Sequence, residues 1–114
     1  MERAIDRLEP FQRAISKAHL ASAGVSIDAL ESRPLIAIAN SWNEVCPGHE
    51  PLKKLAEEVK KGILEAGGEP IEFNTIAMCD GIAQGHPGMR YCLPHRDIIT
   101  DSCEAMIVGE GVFD

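Results

Sequence analysis

The sequence predicts an α/β chain: a short parallel sheet with flanking helices, in three layers. Three observations predict it. Residues 35–39, Leu-Ile-Ala-Ile-Ala, are a short continuous apolar run, suited to a strand buried on both faces. Residues 51–66 carry apolar side chains at helical spacing, and residues 71–77 return to a strand-like run. Strand, helix and strand in alternation point to a parallel sheet joined by right-handed crossovers.

Residues 2–23 open the chain with a helical pattern. Ile5, Leu8, Phe11, Ile15 and Ala18 recur at spacings of three and four, and Pro10 predicts a break near the middle. Gly24 suits a stop. Residues 25–33 read as a polar connection with room for a short turn at 27–30. Pro34 enters the first strand. Residues 40–50, NSWNEVCPGHE, form a long polar loop. Pro51 then starts the clearest helix, because proline fits a first helical position. Its stripe is Leu52, Leu55, Ala56, Val59, Ile63 and Ala66. Its other face is charged, with Glu57 and Lys61 at the favourable i,i+4 order. Gly67-Gly68 supplies a left-handed cap. After the second strand, residues 78–93 read as loop. Pro94 or His95 begins a last helix, whose buried side is expected to hold Ile98, Ile99, Ser102, Cys103, Met106 and Ile107. A third strand is expected to begin at Gly111–Asp114. The chain divides into a helical lead-in, 1–33, and a strand–helix–strand–loop–helix unit, 34–114.

Length allows one small domain. The net charge of −7, without a Lys/Arg cluster, excludes ordinary nucleic-acid binding, which needs local positive charge. It also argues against anionic membrane surfaces. No run approaches a membrane span, and the charged N-terminus lacks the apolar segment of a signal peptide. A cytoplasmic location is therefore expected. The cysteines at 46, 79, 92 and 103 contain no C-x-x-C pair, so free thiols or metal ligands are expected rather than a disulfide framework.

Both polar loops follow a predicted strand, and ligand sites of open α/β sheets gather at strand carboxyl ends. That convergence gathers Asn40, Asn43, Glu44, Cys46, His49, Cys79, Asp80, His86, Arg90 and Cys92. Cys79 is a soft donor for iron–sulfur or zinc, and Asp80 a hard donor for magnesium or manganese. Neighbours on a strand end face opposite ways, so the dipeptide can serve two metals but hardly one. The plainer alternative is a buried cysteine beside an aspartate that turns the chain at Gly81. His49, His86 and Arg90 have equally plain surface readings. Cys103 reads as core. Glycines 81, 85 and 88 form no phosphate loop, and the cysteine and histidine spacings fit no zinc pattern.

One resemblance adds to this reading. IANSWNEV at 38–45, PGH at 47–49, EAGG at 65–68, EFNTIA at 72–77, CDGIA at 79–83, GMRY at 88–91 and LP at 93–94 with Arg96 stand in order. This set, within residues 11–114, resembles the N-terminal region of the dihydroxy-acid dehydratases, a family that includes the 6-phosphogluconate and sugar-acid dehydratases. The resemblance is nearer to the dihydroxy-acid branch. It implies an iron–sulfur and magnesium dependent hydro-lyase. The substrates implied are 2,3-dihydroxy-3-methyl carboxylic acids, converted to 2-keto acids in branched-chain amino-acid biosynthesis. It implies that the cluster acts as Lewis acid on the leaving hydroxyl and that a serine later in the chain takes the proton. By position it assigns Cys79 to the iron–sulfur cluster and Asp80 to Mg2+. Other members place a cluster cysteine in a P-C-N context, where this chain has Gly48. Cys92 and His95 stand where the family usually has serine. The family's C-D-K segment is expected shortly after Asp114. The chain is thus expected to be the incomplete N-terminal portion of a larger dehydratase domain. It would be inactive alone and joined to the remainder or to a second copy. The alternatives are a truncated, non-catalytic module of the same fold and a fragment of a sugar-acid dehydratase of the 6-phosphogluconate type.

Overall fold

The computed structural model describes residues 2–114, so Met1 of the expected lead-in lies outside the described residues. The elements run in the order α1 (Pro10–Ser22), α2 (Ile27–Ser32), β1 (Leu35–Asn40), α3 (Leu52–Glu65), β2 (Glu69–Asn74), α4 (Asp80–Ala83) and α5 (Pro94–Glu110). Turns of 3-10 helix lie at Ala4–Arg7 and Pro87–Tyr91.

The break expected at Pro10 is real: the 3-10 turn ends before it and α1 begins on it. The connection at 25–33 contains a full short helix. Ser26 caps it, its hydroxyl accepting the Ala29 N–H at 3.1 Å. β1 and β2 pair in parallel, with Leu35 opposite Glu69 and Asn40 opposite Asn74. The second strand runs over Glu69–Asn74 and not the expected 71–77, ending where the Asn74 side chain bonds the Asn40 and Trp42 carbonyls. α3 packs against both strands. It ends at Gly67, whose φ of 86° is in the left-handed region. Gly68 serves closeness instead. A Cβ there would lie 2.9 Å from Ile63 Cγ2 and 3.2 Å from Ile36 Cγ1, so its absence lets helix and strand approach. The charged face of α3 pairs Glu57 with Lys60 and Glu58 with Lys61, at i,i+3 rather than the expected Glu57–Lys61.

The core lies at the amino end of the sheet. Ile5, Leu30 and Leu35 are fully buried and Val112 nearly so, with Leu8, Leu20, Val25 and Ile71 packed around them. Residues 111–114 return along β1, where a third strand was expected. Gly111 turns the chain at φ 62°, and the Asp114 N–H donates to the Leu35 carbonyl at 2.9 Å. The Asp114 side chain accepts the N–H groups of Leu35 and Ala4 at 2.9 and 2.6 Å. One carboxylate thus joins lead-in, strand and C-terminal residues.

The expected apolar stripes are covered only in part: Ile5 of the first is buried, whereas Leu55 and Val59 on α3 are exposed. Phe11 is 77% exposed on α1, and Ile98 and Val108 are 56% and 70% exposed on α5. The chain is also extended, with a radius of gyration of 16.9 Å, against about 13 Å for a compact domain of this size. Two strands offer too little sheet to cover both helices.

The Lys60–Glu72 ion pair links α3 to β2, and Glu72 Oε1 also accepts the Asn40 amide at 2.7 Å. Lys60 first, then Asn40, holds the Glu72 carboxyl below its ordinary value of 4.5. Glu57 first, then Glu72, raises Lys60 above 10.5. The carboxyl contribution is therefore present above its unfolded value and lost as pH falls through the folded one. The lysine contribution is present below 10.5 and lost as pH rises through its own raised value. Glu72→Gln is expected to cost about 1 kcal/mol at neutral pH. In acid below both carboxyl values its urea midpoint should meet that of the unaltered chain. An undiminished gap there would show that the charge is not the cause.

Candidate functional site

Because β1 and β2 are parallel neighbours, the loops that follow them emerge at the same end of the sheet. Between them lies an open cavity of about 620 Å3. Ser41, Cys46 and His49 come from the first loop, Thr75, Ala77, Cys79 and Asp80 from the second, and His95, Arg96, Ile99 and Cys103 from α5.

Three asparagines build its walls. Asn40, buried at the end of β1, accepts the Trp42 N–H at 3.0 Å and turns the chain out of the strand. Asn74, at the end of β2, donates to the carbonyls of Asn40 and Trp42 at 2.7 and 3.1 Å. Asn43 accepts the N–H groups of Val45 and Cys46 at 3.0 and 2.8 Å and donates to the Ala77 carbonyl at 3.1 Å. It therefore fastens one loop to the other and fixes the backbone at Cys46. His49 closes the first loop, its Nδ1 bonded to the Ser41 carbonyl at 2.9 Å. Because a carbonyl can only accept, Nδ1 is the donor in that bond.

Residues 78–93 are not plain loop. Cys79 is the N-cap of the single turn α4, and Asp80 its first residue. The pair thus stands at a helical turn and not at a strand end, and both residues line the one cavity. Their surroundings differ. The nearby Ile82 backbone N–H, and after it the Cys46 thiol, lower the Cys79 pKa and favour the thiolate. Cys92 is buried, with its thiol 3.3 Å from Met89 Sδ. Burial first, then the Asp80 carboxylate, raises its pKa and keeps the proton on. Arg96 Nη2 stands 4.0 Å from Asp80 Oδ2, an exposed pair of little energetic weight.

Several sequence candidates stand elsewhere. His86 spends both ring nitrogens locally: Nε2 bonds the Ile82 carbonyl at 3.1 Å and Nδ1 accepts the Gly88 N–H at 3.0 Å. Arg90 lies over the Tyr91 ring, outside the cavity. Trp42 and Glu44 line a separate surface groove, where the Lys53 ammonium sits 4.7 Å from the Trp42 ring centroid. Cys103, read as core, is half-buried and lines the cavity, because the apolar stripe of α5 crosses its mouth. All four cysteines are free. Among the described residues, no three His, Cys, Asp or Glu side chains converge to hold a metal ion unaided, and no helix is long and apolar enough to cross a membrane.

Fold and cavity together define an α/β chain with a binding crevice at the carboxyl ends of its parallel strands. Residues 33–114 match the family model described as dihydroxy-acid/6-phosphogluconate dehydratase N-terminal. The chain belongs to that family. It is 62% identical over 81 residues to a dihydroxy-acid dehydratase of Ignicoccus hospitalis, covering 71% of this chain and 15% of the relative. It is 52% identical over 96 residues to dihydroxy-acid dehydratase 1 of Methanosarcina acetivorans, covering 84% and 17%. To the dihydroxy-acid dehydratase of Acetivibrio thermocellus it is 54% identical over 99 residues, covering 87% and 18%. The chain thus spans less than a fifth of the length of these relatives.

Proposed function

We propose that this chain is the N-terminal segment of an iron–sulfur and magnesium dependent dehydratase. The enzyme would convert 2,3-dihydroxy-3-methyl carboxylic acids to 2-keto acids in the cytoplasm, as part of branched-chain amino-acid biosynthesis. The observation that carries the reading is the pairing of a thiolate-biased Cys79 with Asp80 on one cavity. The relatives named dihydroxy-acid dehydratase favour that branch over the sugar acids.

The donor set suits the two groups: a thiolate for iron, a carboxylate oxygen for magnesium. When bound, such a pair of metals supplies Lewis acidity to a departing hydroxyl and a fixed charge for the substrate carboxylate. In this chain Cys79 would hold the cluster by its sulfur, with the Ile82 N–H lowering its pKa toward the thiolate form. Asp80 would hold Mg2+ by its carboxylate, which Arg96 flanks. Asn43 ties the two loops and so keeps the first loop, with Cys46 and His49, against the second. Residues 1–114 supply these as the N-terminal part of the dehydratase domain, and the remaining ligands come from the rest of the enzyme or a second subunit. The 114 residues alone are therefore inactive.

A chimera tests this. Residues 33–114 replace the matching segment of the Ignicoccus hospitalis dehydratase. The chimera should release a 2-keto acid from 2,3-dihydroxy-3-methylbutanoate and leave 6-phosphogluconate untouched. Cys79→Ser and Asp80→Asn should each reduce turnover by at least ~100-fold, as loss of a metal ligand or its close support does. Only Cys79→Ser should also bleach the visible absorption of the cluster. A folded chimera whose turnover survives both substitutions would refute the assignment.

A further inference from the structure

Residues 75–79, a stretch without regular structure, carry the chain from β2 to the turn that bears Asp80. The stretch is fastened at Thr75, whose N–H donates to the Asn40 carbonyl at 2.8 Å. At its far end the Cys79 carbonyl accepts from Ala83 at 3.1 Å, but that bond lies within the α4 turn and moves with it. Between these points, among the described residues, one hydrogen bond holds the main chain: Asn43 Nδ2 donates to the Ala77 carbonyl at 3.1 Å. A free link of three residues spans up to about 10 Å, so without that bond the path from Thr75 would not define where Cys79 stands. Asn43 is itself anchored in the first loop. Its Oδ1 accepts the N–H groups of Val45 and Cys46 at 3.0 and 2.8 Å, and Nδ2 also reaches the Ser41 carbonyl at 3.3 Å. The work needs an amide: a carboxylate only accepts, and a hydroxyl has one proton to give.

We infer that Asn43 is a positioning residue for Cys79 and Asp80, acting through the Ala77 carbonyl. The first loop, which supplies neither of these two side chains, thereby sets where both of them stand. The donor half of the Asn43 amide does this, whereas the acceptor half serves the first loop alone. The inference rests on the reading of Cys79 and Asp80 as metal ligands and adds the residue that places them.

Nitrogen-15 relaxation on the 114-residue chain tests the tether. In the unaltered chain the amides of residues 76–79 should have order parameters of about 0.85, the value of rigid backbone. Asn43→Asp keeps the acceptor for Val45 and Cys46 but removes the donor to Ala77. It should bring residues 76–79 below about 0.6 while β1 and α3 stay rigid. Asn43→Ala should loosen residues 44–46 as well. An ester in place of the Ala77–Met78 amide weakens the same carbonyl as an acceptor and leaves Asn43 intact. It should loosen the stretch as Asn43→Asp does, and it decides the matter if that variant fails to fold. In the chimera described above, Asn43→Asp should lower turnover by at least ~10-fold and raise the Mg2+ concentration for half-saturation by a similar factor. The inference falls, and the proposed function stands, if residues 76–79 are already mobile in the unaltered chain or stay rigid in both altered ones. It falls equally if they loosen while turnover and Mg2+ dependence hold. Loosening of the whole chain in both altered forms would refute positioning in favour of general stability. A chimera indifferent to Cys79→Ser and Asp80→Asn would bring down both readings.

Discussion

Leu35→Ala is expected to destabilise the chain by about 3 kcal/mol, within the range measured for buried leucines. Leu35 is fully buried, and among the described residues only Ile5 and Leu30 share that standing among the large side chains. Truncating it removes packing atoms from a cluster that joins the 3-10 turn, α2, β1 and Val112. The 3-10 turn and Val112 come from opposite ends of the sequence and meet α2 and β1 only through this cluster. Small domains hold only about 5–15 kcal/mol in all, and a core with three large members sits toward the lower end. Urea unfolding should show the loss by circular dichroism. Fluorescence of Trp42, the one tryptophan, reports the opposite end of the sheet. If core and crevice form one cooperative unit, both signals shift together. Leu55→Ala, at a residue 56% exposed on α3, is the comparison and should cost less than ~0.5 kcal/mol. Equal effects at the two positions would refute the placement of the core.

What the sequence made legible was whatever depends on local pattern. The run at 35–39 and the stripe of α3 have unmixed periods, and Gly67 marks a conformation that other residues avoid. The stripes of α1 and α5 were legible as stripes, but periodicity states which face is apolar and not whether anything covers it. Phe11 and Ile98 are on such faces and stand exposed. Residues 78–93 hid their helical turns, because Gly81, Gly85 and Pro87 interrupt any pattern longer than a turn. Within the crevice, residue type located Cys79 and Asp80 but not the work of their neighbours. Asn40 and Asn43 look like ligands in a sequence, yet their amides are consumed by backbone groups and, for Asn40, by the Glu72 carboxylate. His86 is consumed in the same way. Whether a polar side chain is free depends on partners that lie 34 residues away, as with Asn43 and Ala77. No window of local sequence contains that distance.

Asn40 is the position where fold and crevice depend on a single side chain. Asn40→Ala is expected to cost about 2 kcal/mol, since it strands polar groups that were paired. The Trp42 N–H loses its acceptor and Glu72 loses its amide donor, both in the part-buried interior of the turn. Asn40→Asp separates these two losses. It keeps the oxygen that accepts from Trp42, but sets a second oxygen where the amide stood 2.7 Å from Glu72 Oε1. Two carboxylates at that distance cannot both stay ionised at low cost, so the pair must take up a proton on folding. Its folded pKa then lies above the unfolded value. Stability from that shared proton is present in acid and lost as pH rises through the raised value. The aspartate variant should therefore be most stable in acid, whereas Glu72 in the unaltered chain favours neutral pH. Urea midpoints followed across pH would show crossing curves. An Asn40→Asp chain with the same midpoint as the unaltered one at neutral pH would mean that the amide does not face Glu72, and the account of how β1 hands over to the crevice would fail with it.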